Sequence, residues 1–331
     1  MGLRQRIGAL VYDWPPFALH MLRGDWVRVH NRNESIESDG CGVRCLWRYT
    51  SDLHIANVYP SAGAWLMRRA LRDWPIEYGA RGAPHPAFGH PLPAGGATRV
   101  SFLIGHRGRA RLPLLQATLR SIAAQGMPVE CIVVEQSEAP EIRDELPPWV
   151  RYVHTPSGGL PYCRAWAFNV AARLASSGVL VLHDGDLLVP RGYAAEAFAQ
   201  VTGGKSFADL KRFLFYLRAD GTLEKVVQNA QGGSVVAARD AYWDIGGFDE
   251  SFVGWGGEDN DFWDRARTAG KIDDFGYLPL IHLHHDAQPG KIVGTPAIER
   301  YQRIESISPA ERIARLLQRD QGRVEGPSIE S

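Results

Sequence analysis

Net charge is the first thing missing. Thirty-seven Lys and Arg residues balance thirty-seven Asp and Glu residues, so no overall field draws the chain to nucleic acid or to an anionic membrane. Long apolar runs are missing as well. No stretch approaches the roughly 20 residues that a membrane-spanning helix needs. The N-terminal "MGLRQRIGALVYDWPPF" has an apolar part too short and too interrupted for a signal peptide. Cysteine is scarce: Cys41, Cys45, Cys131 and Cys163 do not make a disulfide framework in a chain of this length. Cys41 and Cys45 could be combined with His30 or His54 into a zinc site, but the spacing fits poorly and no second pair follows. Reduced thiols are expected. These absences make polyanions poor candidates for the main partner, a local basic patch aside, argue against a membrane-spanning protein or a disulfide scaffold, and leave a globular, cytoplasmic protein without internal repeats as the expectation.

The pattern of what is present changes along the chain. "ARGAPHPAFGHPLPAGGAT", from Ala80 to Thr98, is rich in Pro and Gly and has neither helical nor strand period, so it reads as a linker or extended wrap. Before it, "GVRCLWRYTSDLHIANVYP" alternates in places and suggests strands, and "SAGAWLMRRALRDW" has the spacing of a short helix. After it, strand-like and helical segments alternate. "RVSFLIG", "VECIVVEQ", "VRYVHT" and "VLVLHDGD" read as strands, and "RLPLLQATLRSIAAQG" and "YCRAWAFNVAARLASSG" as helices ended by glycine. Such alternation implies a mostly parallel sheet with helices on both faces, whose ligands bind beyond the carboxyl ends of the strands. The last stretch, "SPAERIARLLQRDQGRVEGPSIES", begins as an amphipathic helix capped by Ser308 and finishes as a polar tail expected to fray.

Four constellations could carry chemistry. In "VLVLHDGDLLVP", Asp184 and Asp186 are two apart across a glycine at a strand end; both carboxylates can face one way and suit a hard cation holding a diphosphate. A solvated Asp-Gly turn is the plain alternative. In "LPLIHLHHDAQPG", strand alternation puts His282 and His284 on one face and turns His285 away, which makes the first two a pair of metal ligands favouring Mn²⁺ or Zn²⁺. The plain alternative is a polar edge strand. "GWGGEDNDFW", Gly254–Trp263, places three glycines and Trp255 before the acidic start of a helix expected from about Asp259 to Ala269. Acidic residues there complement the helix dipole. The glycines suggest a loop that moves or lets a ligand approach, Trp255 a platform for a sugar ring, and one carboxylate a general base. Arg107 and Arg109 in "IGHRGR" and Arg164 at a helix start suit a nucleotide's phosphates, or are surface arginines.

Taken in order, these residues are familiar. From about Thr98 to Gln288 the chain resembles the β-1,4-galactosyltransferase family, closest to its xylosylprotein galactosyltransferase type. The resemblance rests on "FLIGHRGR", "VVEQ", "YCRAWAFNVAAR", "HDGDLLVP", "GGSVVAARDAYWDIGGFDESFVGWGGEDND" and "HLHH". It implies an α/β chain of GT-A type: a nucleotide-sugar-binding mixed sheet flanked by helices over residues 93–305. A small N-terminal α+β extension with its linker would occupy 1–92, and a C-terminal helix and polar tail 306–331. By the same resemblance Asp184, Asp186, His282 and His284 would hold Mn²⁺, with Mg²⁺ as the substitute. Arg107, Arg109, Arg164, Asp184, Gly232, Gly233 and Trp255 would bind the UDP-sugar. Trp255, Gly257 and Glu258 would meet the acceptor, and Asp259 would be the catalytic base.

The implied activity is metal-dependent, inverting transfer of galactose, or a related hexose or N-acetylhexosamine, from a UDP-sugar to a hydroxyl of a saccharide or glycoside. The chain departs from the family pattern at Gly105-His106, at Tyr162-Cys163, and at Ala230-Gln231, where a smaller residue in place of an aromatic could admit an N-acetyl group. The family's membrane anchor and stem are absent, which implies a cytoplasmic, bacterial-style enzyme. The N-terminal unit matches nothing in the family and leaves three roles open: shaping acceptor access, building a homodimer, or docking a partner. Two competing readings are a catalytically silent sugar-nucleotide-binding protein and a metallohydrolase. The second has no use for the "GWGGED" segment.

Overall fold

The structure, a computed structural model, describes residues 2–23, 36–38, 43–45, 51–71, 98–228, 232–270, 272–273, 276, 278–286 and 296–329. The chain opens with α1 (Leu3–Gly8), a π-helical turn at Ala9–Asp13 and α2 (Trp14–Arg23). A two-stranded hairpin, β1 (Ile36–Ser38) and β2 (Val43–Cys45), precedes α3 (Ser51–Val58) and α4 (Pro60–Ala70). Of the stretch "GVRCLWRYTSDLHIANVYP", expected to hold strands, Val43–Cys45 is a strand and Ser51–Val58 is a helix. Leu53, Ile55, Ala56 and Val58 are all buried, and this short run satisfies a helical face as well as an alternating one. The Pro/Gly-rich segment 80–97 and the Cys41 thiol lie outside the described residues. His54, one of the imagined zinc ligands, is 2.7 Å from Asp13.

The strand–helix alternation follows the expected order: β3 (Val100–His106), α5 (Leu112–Ala123), β4 (Val129–Ser137), β5 (Val150–Pro156), α6 (Arg164–Leu174) and β6 (Val179–His183). These four strands are parallel. The chain continues through β7 (Leu187–Leu188), α7 (Tyr193–Thr202), β8 (Phe207–Ala208), β9 (Lys211–Leu217), β10 (Leu223–Gln228), β11 (Ser234–Ala238) and α8 (Arg239–Asp244). It closes with α9 (Glu258–Ala269), β12 (Ile272–Asp273), β13 (Leu278–His282), α10 (Pro296–Ile304) and α11 (Pro309–Leu316). The main sheet has the order β12-β8-β11-β6-β3-β4-β5, and β11 runs antiparallel to both its neighbours. The sheet is thus mixed, with helices on both faces.

Period-two alternation divides the core. Leu103, Ile132, Leu180 and Val235 point to one face and pack with α6, α8 and α9. Phe102, Val133, Val181 and Val236 point to the other and pack with α5 and α7. A second sheet, ordered β10-β9-β13-β7, contributes Leu214 and Leu280 to that second core. Its opposite face, through Phe213, Phe215 and Ile281, joins Phe17, Leu53 and Leu66 of the N-terminal helices. The N-terminal helices therefore share a core with the strand that carries His282. Asn57 strengthens the join: its Nδ2 donates to the Val226 carbonyl and its Oδ1 accepts from the Val226 amide, each at 2.9 Å.

The C-terminal segment corrects the expectation of a frayed tail. Glu250 is fully buried, and its carboxylate accepts from the amides of Gly322 at 2.6 Å and Ser328 at 2.5 Å. Trp166 Nε1 donates to the Arg323 carbonyl at 2.6 Å. A buried carboxylate needs such donors, and this chain draws them from its own end. The Ser308 cap is as expected, its hydroxyl accepting from the Glu311 amide. Among the described residues no helix is long and apolar enough to cross a membrane.

Candidate active site

The site lies where β3 and β6 end and β11 begins, beside the start of α6, and two charged clusters share it. The first is built on Arg164, the opening residue of α6. Its Nε donates to Asp184 Oδ1 at 2.7 Å and its Nη1 to Asp259 Oδ1 at 2.7 Å, with Glu258 Oε1 at 3.5 Å from the same nitrogen. The guanidinium lies 4.8 Å from the centre of the Phe168 ring, a cation–π arrangement. Its Nη2 is buried and has no hydrogen-bond partner among the described residues. A buried orphan donor beside three carboxylates is costly unless a ligand completes it. Burial, then the neighbouring Asp259 charge, pushes the Glu258 carboxyl up to about 7. Burial likewise raises Asp184, to about 6, against the pull of Arg164.

Backbone pairing explains how these groups meet. Ser234 is in register with His183, and the Asp184 amide donates to the Gly233 carbonyl at 2.8 Å, so Gly232 and Gly233 lie beside the end of β6. A Cβ on Gly232 would come 2.6 Å from Asp259 Oδ2. The backbone there is therefore as close to the carboxylate as glycine allows. Gly257 is the N-cap of α9 in the left-handed region, φ 85°, and the Gly254 amide donates to the Tyr162 carbonyl at 3.0 Å. Between them Trp255 is 43% exposed, three residues before Glu258, the first residue of α9.

The second cluster is built on Asp186. β13 pairs antiparallel with β7, His282 opposite Leu187, and the Leu283 amide donates to the Asp186 carbonyl at 2.9 Å. This register brings His282 to Asp186. The strand ends there, so the alternation expected to carry His284 onto the same face does not continue. His284 is exposed, whereas His285 turns back and sets Nε2 at 3.2 Å from Asp186 Oδ2. One ligand atom each from Asp186, His282 and His285 lie within 4.8 Å of one another. This set of one carboxylate oxygen and two imidazoles fits a borderline divalent cation. His282 Nδ1 is 2.8 Å from the Leu283 carbonyl, the kind of contact that fixes a ligating ring, and the ring stacks on Tyr216 at 4.3 Å. Burial would raise the Asp186 carboxyl, but the hydrogen bond from His285 and the charges of His282, His285 and Arg111 hold it at about 2.

The rim arginines divide differently from the sequence expectation. Arg107 donates to the Leu160 carbonyl at 2.7 Å. Arg109 donates to the Glu141 carbonyl at 2.9 Å and is ion-paired with Glu145. Neither touches the carboxylate clusters in this structure. Arg111 does, donating from Nη1 to Asp186 Oδ2 at 3.1 Å. The sequence signal for Arg111 was its place beside the helix start that follows a rim strand. For His285 it was the third histidine of "HLHH".

Two of the departures from the family pattern compensate each other. A Cβ on Gly105 would collide with the Tyr162 hydroxyl and stand 2.8 Å from Ala167 Cβ. The small residue at the end of β3 thus makes room for the larger one before α6. Gly105→Ala should lower stability by about 1–3 kcal/mol, measured by denaturant unfolding, and Tyr162→Phe should recover part of the loss. Additive effects in the double variant would contradict this pairing. Ala230 and Gln231 lie outside the described residues.

A family profile described as the N-terminal domain of galactosyltransferase matches residues 224–284, a span that contains Gly232, Gly233, Trp255, Gly257, Glu258, Asp259 and His282. No curated protein sequence matches the chain. Among solved structures, that of Staphylococcus aureus TarS residues 1–349 in complex with UDP-GlcNAc is similar at 13% identity, covering 66% of this chain and 70% of that one, TM-score 0.48. The catalytic domain of Drosophila β1,4-galactosyltransferase 7 in complex with xylobiose is similar at 17% identity, covering 60% and 68%, TM-score 0.31. Residues 224–284 thus match the galactosyltransferase family, a similarity that supports a UDP-sugar glycosyltransferase.

Proposed function

We propose that the chain transfers galactose, or a related hexose or N-acetylhexosamine, from a UDP-sugar to a hydroxyl of a saccharide or glycoside, with inversion. The observation that carries this reading is the Arg164 guanidinium, which joins Asp184 at the rim of the sheet to Asp259 at the start of α9 and keeps one buried nitrogen unpartnered. That nitrogen suits a diphosphate oxygen, and Arg107 and Arg109 stand further along the same rim for the rest of the nucleotide. Trp255 offers a ring face to the sugar, and Gly232 and Gly233 let the donor approach the backbone. Glu258, whose carboxyl burial raises to about 7, can in its protonated form donate a hydrogen bond to an acceptor hydroxyl, and the Gly257 backbone borders the same position.

In the step itself, the acceptor oxygen bonds to the anomeric carbon from the face opposite the diphosphate. Its proton passes to Asp259 as the carbon–oxygen bond to the diphosphate breaks and UDP leaves. Arg164 orients the base through Oδ1, which leaves Oδ2 toward Gly232 to take the proton. A divalent cation, Mn²⁺ in this reading with Mg²⁺ as the substitute, would be held by Asp186, His282 and His285 and supplies Lewis-acid stabilisation to the diphosphate. Asp184, bonded to Arg164, serves the donor side of that site. The cytoplasm is the compartment we propose, where the buried Cys131 and Cys163 thiols stay reduced.

The test is a panel of UDP-galactose, UDP-N-acetylgalactosamine, UDP-glucose and UDP-N-acetylglucosamine, with Mn²⁺ or with chelator. Binding is read by thermal shift, and turnover by UDP release with and without a panel of aryl glycosides. Metal-dependent binding of one donor class and acceptor-dependent UDP release are expected. Binding without turnover would favour the silent sugar-nucleotide-binding protein. UDP release at full rate without acceptor would favour a hydrolase.

A further inference from the structure

The guanidinium of Arg111 engages the residues that would hold a cation. Its Nη1 is 3.1 Å from Asp186 Oδ2 and its Nη2 is 3.0 Å from His285 Nδ1. It therefore bonds two of three residues whose ligand atoms lie within 4.8 Å of one another. Arg111 is part-buried, and it belongs to the turn that leads from β3 into α5.

The His285 ring shows what this contact does. Nδ1 has two neighbours, Arg111 Nη2 at 3.0 Å and the Asp286 carbonyl at 2.8 Å, while Nε2 faces Asp186 Oδ2 at 3.2 Å. A guanidinium can only donate and a carbonyl can only accept. With Arg111 in place, Nδ1 must present its lone pair, so the ring proton sits on Nε2 and is donated to Asp186. That tautomer offers no lone pair on the Asp186 side. In the other tautomer, Nδ1–H is donated to the Asp286 carbonyl and Nε2 becomes a ligand. Ligating imidazoles are ordinarily fixed by such a hydrogen bond from the second nitrogen. The two arrangements exclude each other, and the position of Arg111 selects between them.

We propose that Arg111 is a resident counter-cation that competes with the divalent ion and must leave before the ion can enter. Its displaced charge then becomes available to an anionic ligand of the same site, the donor's diphosphate. Metal entry and nucleotide binding are thereby coupled, each favouring the other. This rests on the metal reading given above.

The test uses the full chain without nucleotide. Mn²⁺ affinity is measured by calorimetry and electron paramagnetic resonance for wild type, Arg111→Met and Arg111→Lys. Histidine ¹⁵N shifts are recorded on metal-free wild type and Arg111→Met. The Met variant should bind Mn²⁺ at least tenfold more tightly, the Lys variant should stay near wild type, and UDP should raise Mn²⁺ affinity more in wild type than in the Met variant. His285 should be the Nε2–H tautomer in wild type and the Nδ1–H tautomer in the Met variant. Arg111→Gln gives the same comparison should Met lower stability. Equal or weaker Mn²⁺ binding by the Met variant, or an Nδ1–H tautomer in metal-free wild type, overturns the role of Arg111 alone. Absence of Mn²⁺ binding in all the proteins overturns the metal reading and this inference together.

Discussion

Asp259→Asn should lower the turnover number for sugar transfer by about 10²–10⁴, the range a positioned general base contributes, while leaving donor affinity near wild type. The Asn side chain keeps an oxygen to accept from Arg164 Nη1, which now bonds Asp259 Oδ1 at 2.7 Å, so the geometry around Arg164 should survive. What is lost is the second carboxylate oxygen, the one that faces Gly232. A matched fall in turnover number and in turnover number over KM, with no change in KM, marks an interaction made only in the transition state. Glu258→Gln offers the contrast. It preserves the protonated form that burial favours, so the loss should be much smaller. Transfer by Asp259→Asn within a few-fold of wild type would remove Asp259 from the chemistry.

His285→Ala should weaken Mn²⁺ binding by about a hundredfold or more, because even groups that only support a ligand are worth roughly 10–100-fold in metal affinity. His282→Ala should do the same. His284→Ala should stay within about twofold of wild type, since His284 is exposed and His285 takes the place beside Asp186. Calorimetric titration of the three variants decides the matter. The reverse ranking, with His284 dominant, would mean that the chain beyond β13 rearranges into a longer strand when metal binds.

The histidine result shows where sequence reading runs out. Most of the main sheet was legible because its strands are short continuous apolar runs buried on both faces, whereas the expected glycine stops do not end the helices: α5 caps at Ala124 and α6 at Ala175, short of Gly126 and Gly178. The start of α9 was legible too: glycines, then acidic residues, then an amphipathic run. The pairing of His282 with Leu187 and the end of β13 at His282 are long-range facts. Nothing in "HLHH" says that the strand stops after its first residue. Arg111 was passed over because its partner, Asp186, is 75 positions away in the chain. The strands β8 to β11 lie outside the strand–helix alternation and carry no such signal, and it is the antiparallel pairing of β11 with β6 and β8 that makes the main sheet mixed. The same holds at the C-terminus, where a tail of polar composition is ordered by distant partners, the buried Glu250 carboxylate and the Trp166 indole.

The proposed chemistry needs two clusters to act as one site: Asp186, His282 and His285, which would hold the cation, and Arg164, which bonds Asp184 and Asp259. Crystals grown with UDP and Mn²⁺, measured at a wavelength where manganese scatters anomalously, test this most directly. The account predicts one manganese peak within bonding distance of Asp186, His282 and His285, with a diphosphate oxygen bridging from that ion toward Arg164. A peak coordinated by other residues, or UDP bound with its diphosphate away from both Arg164 and Asp186, would contradict it.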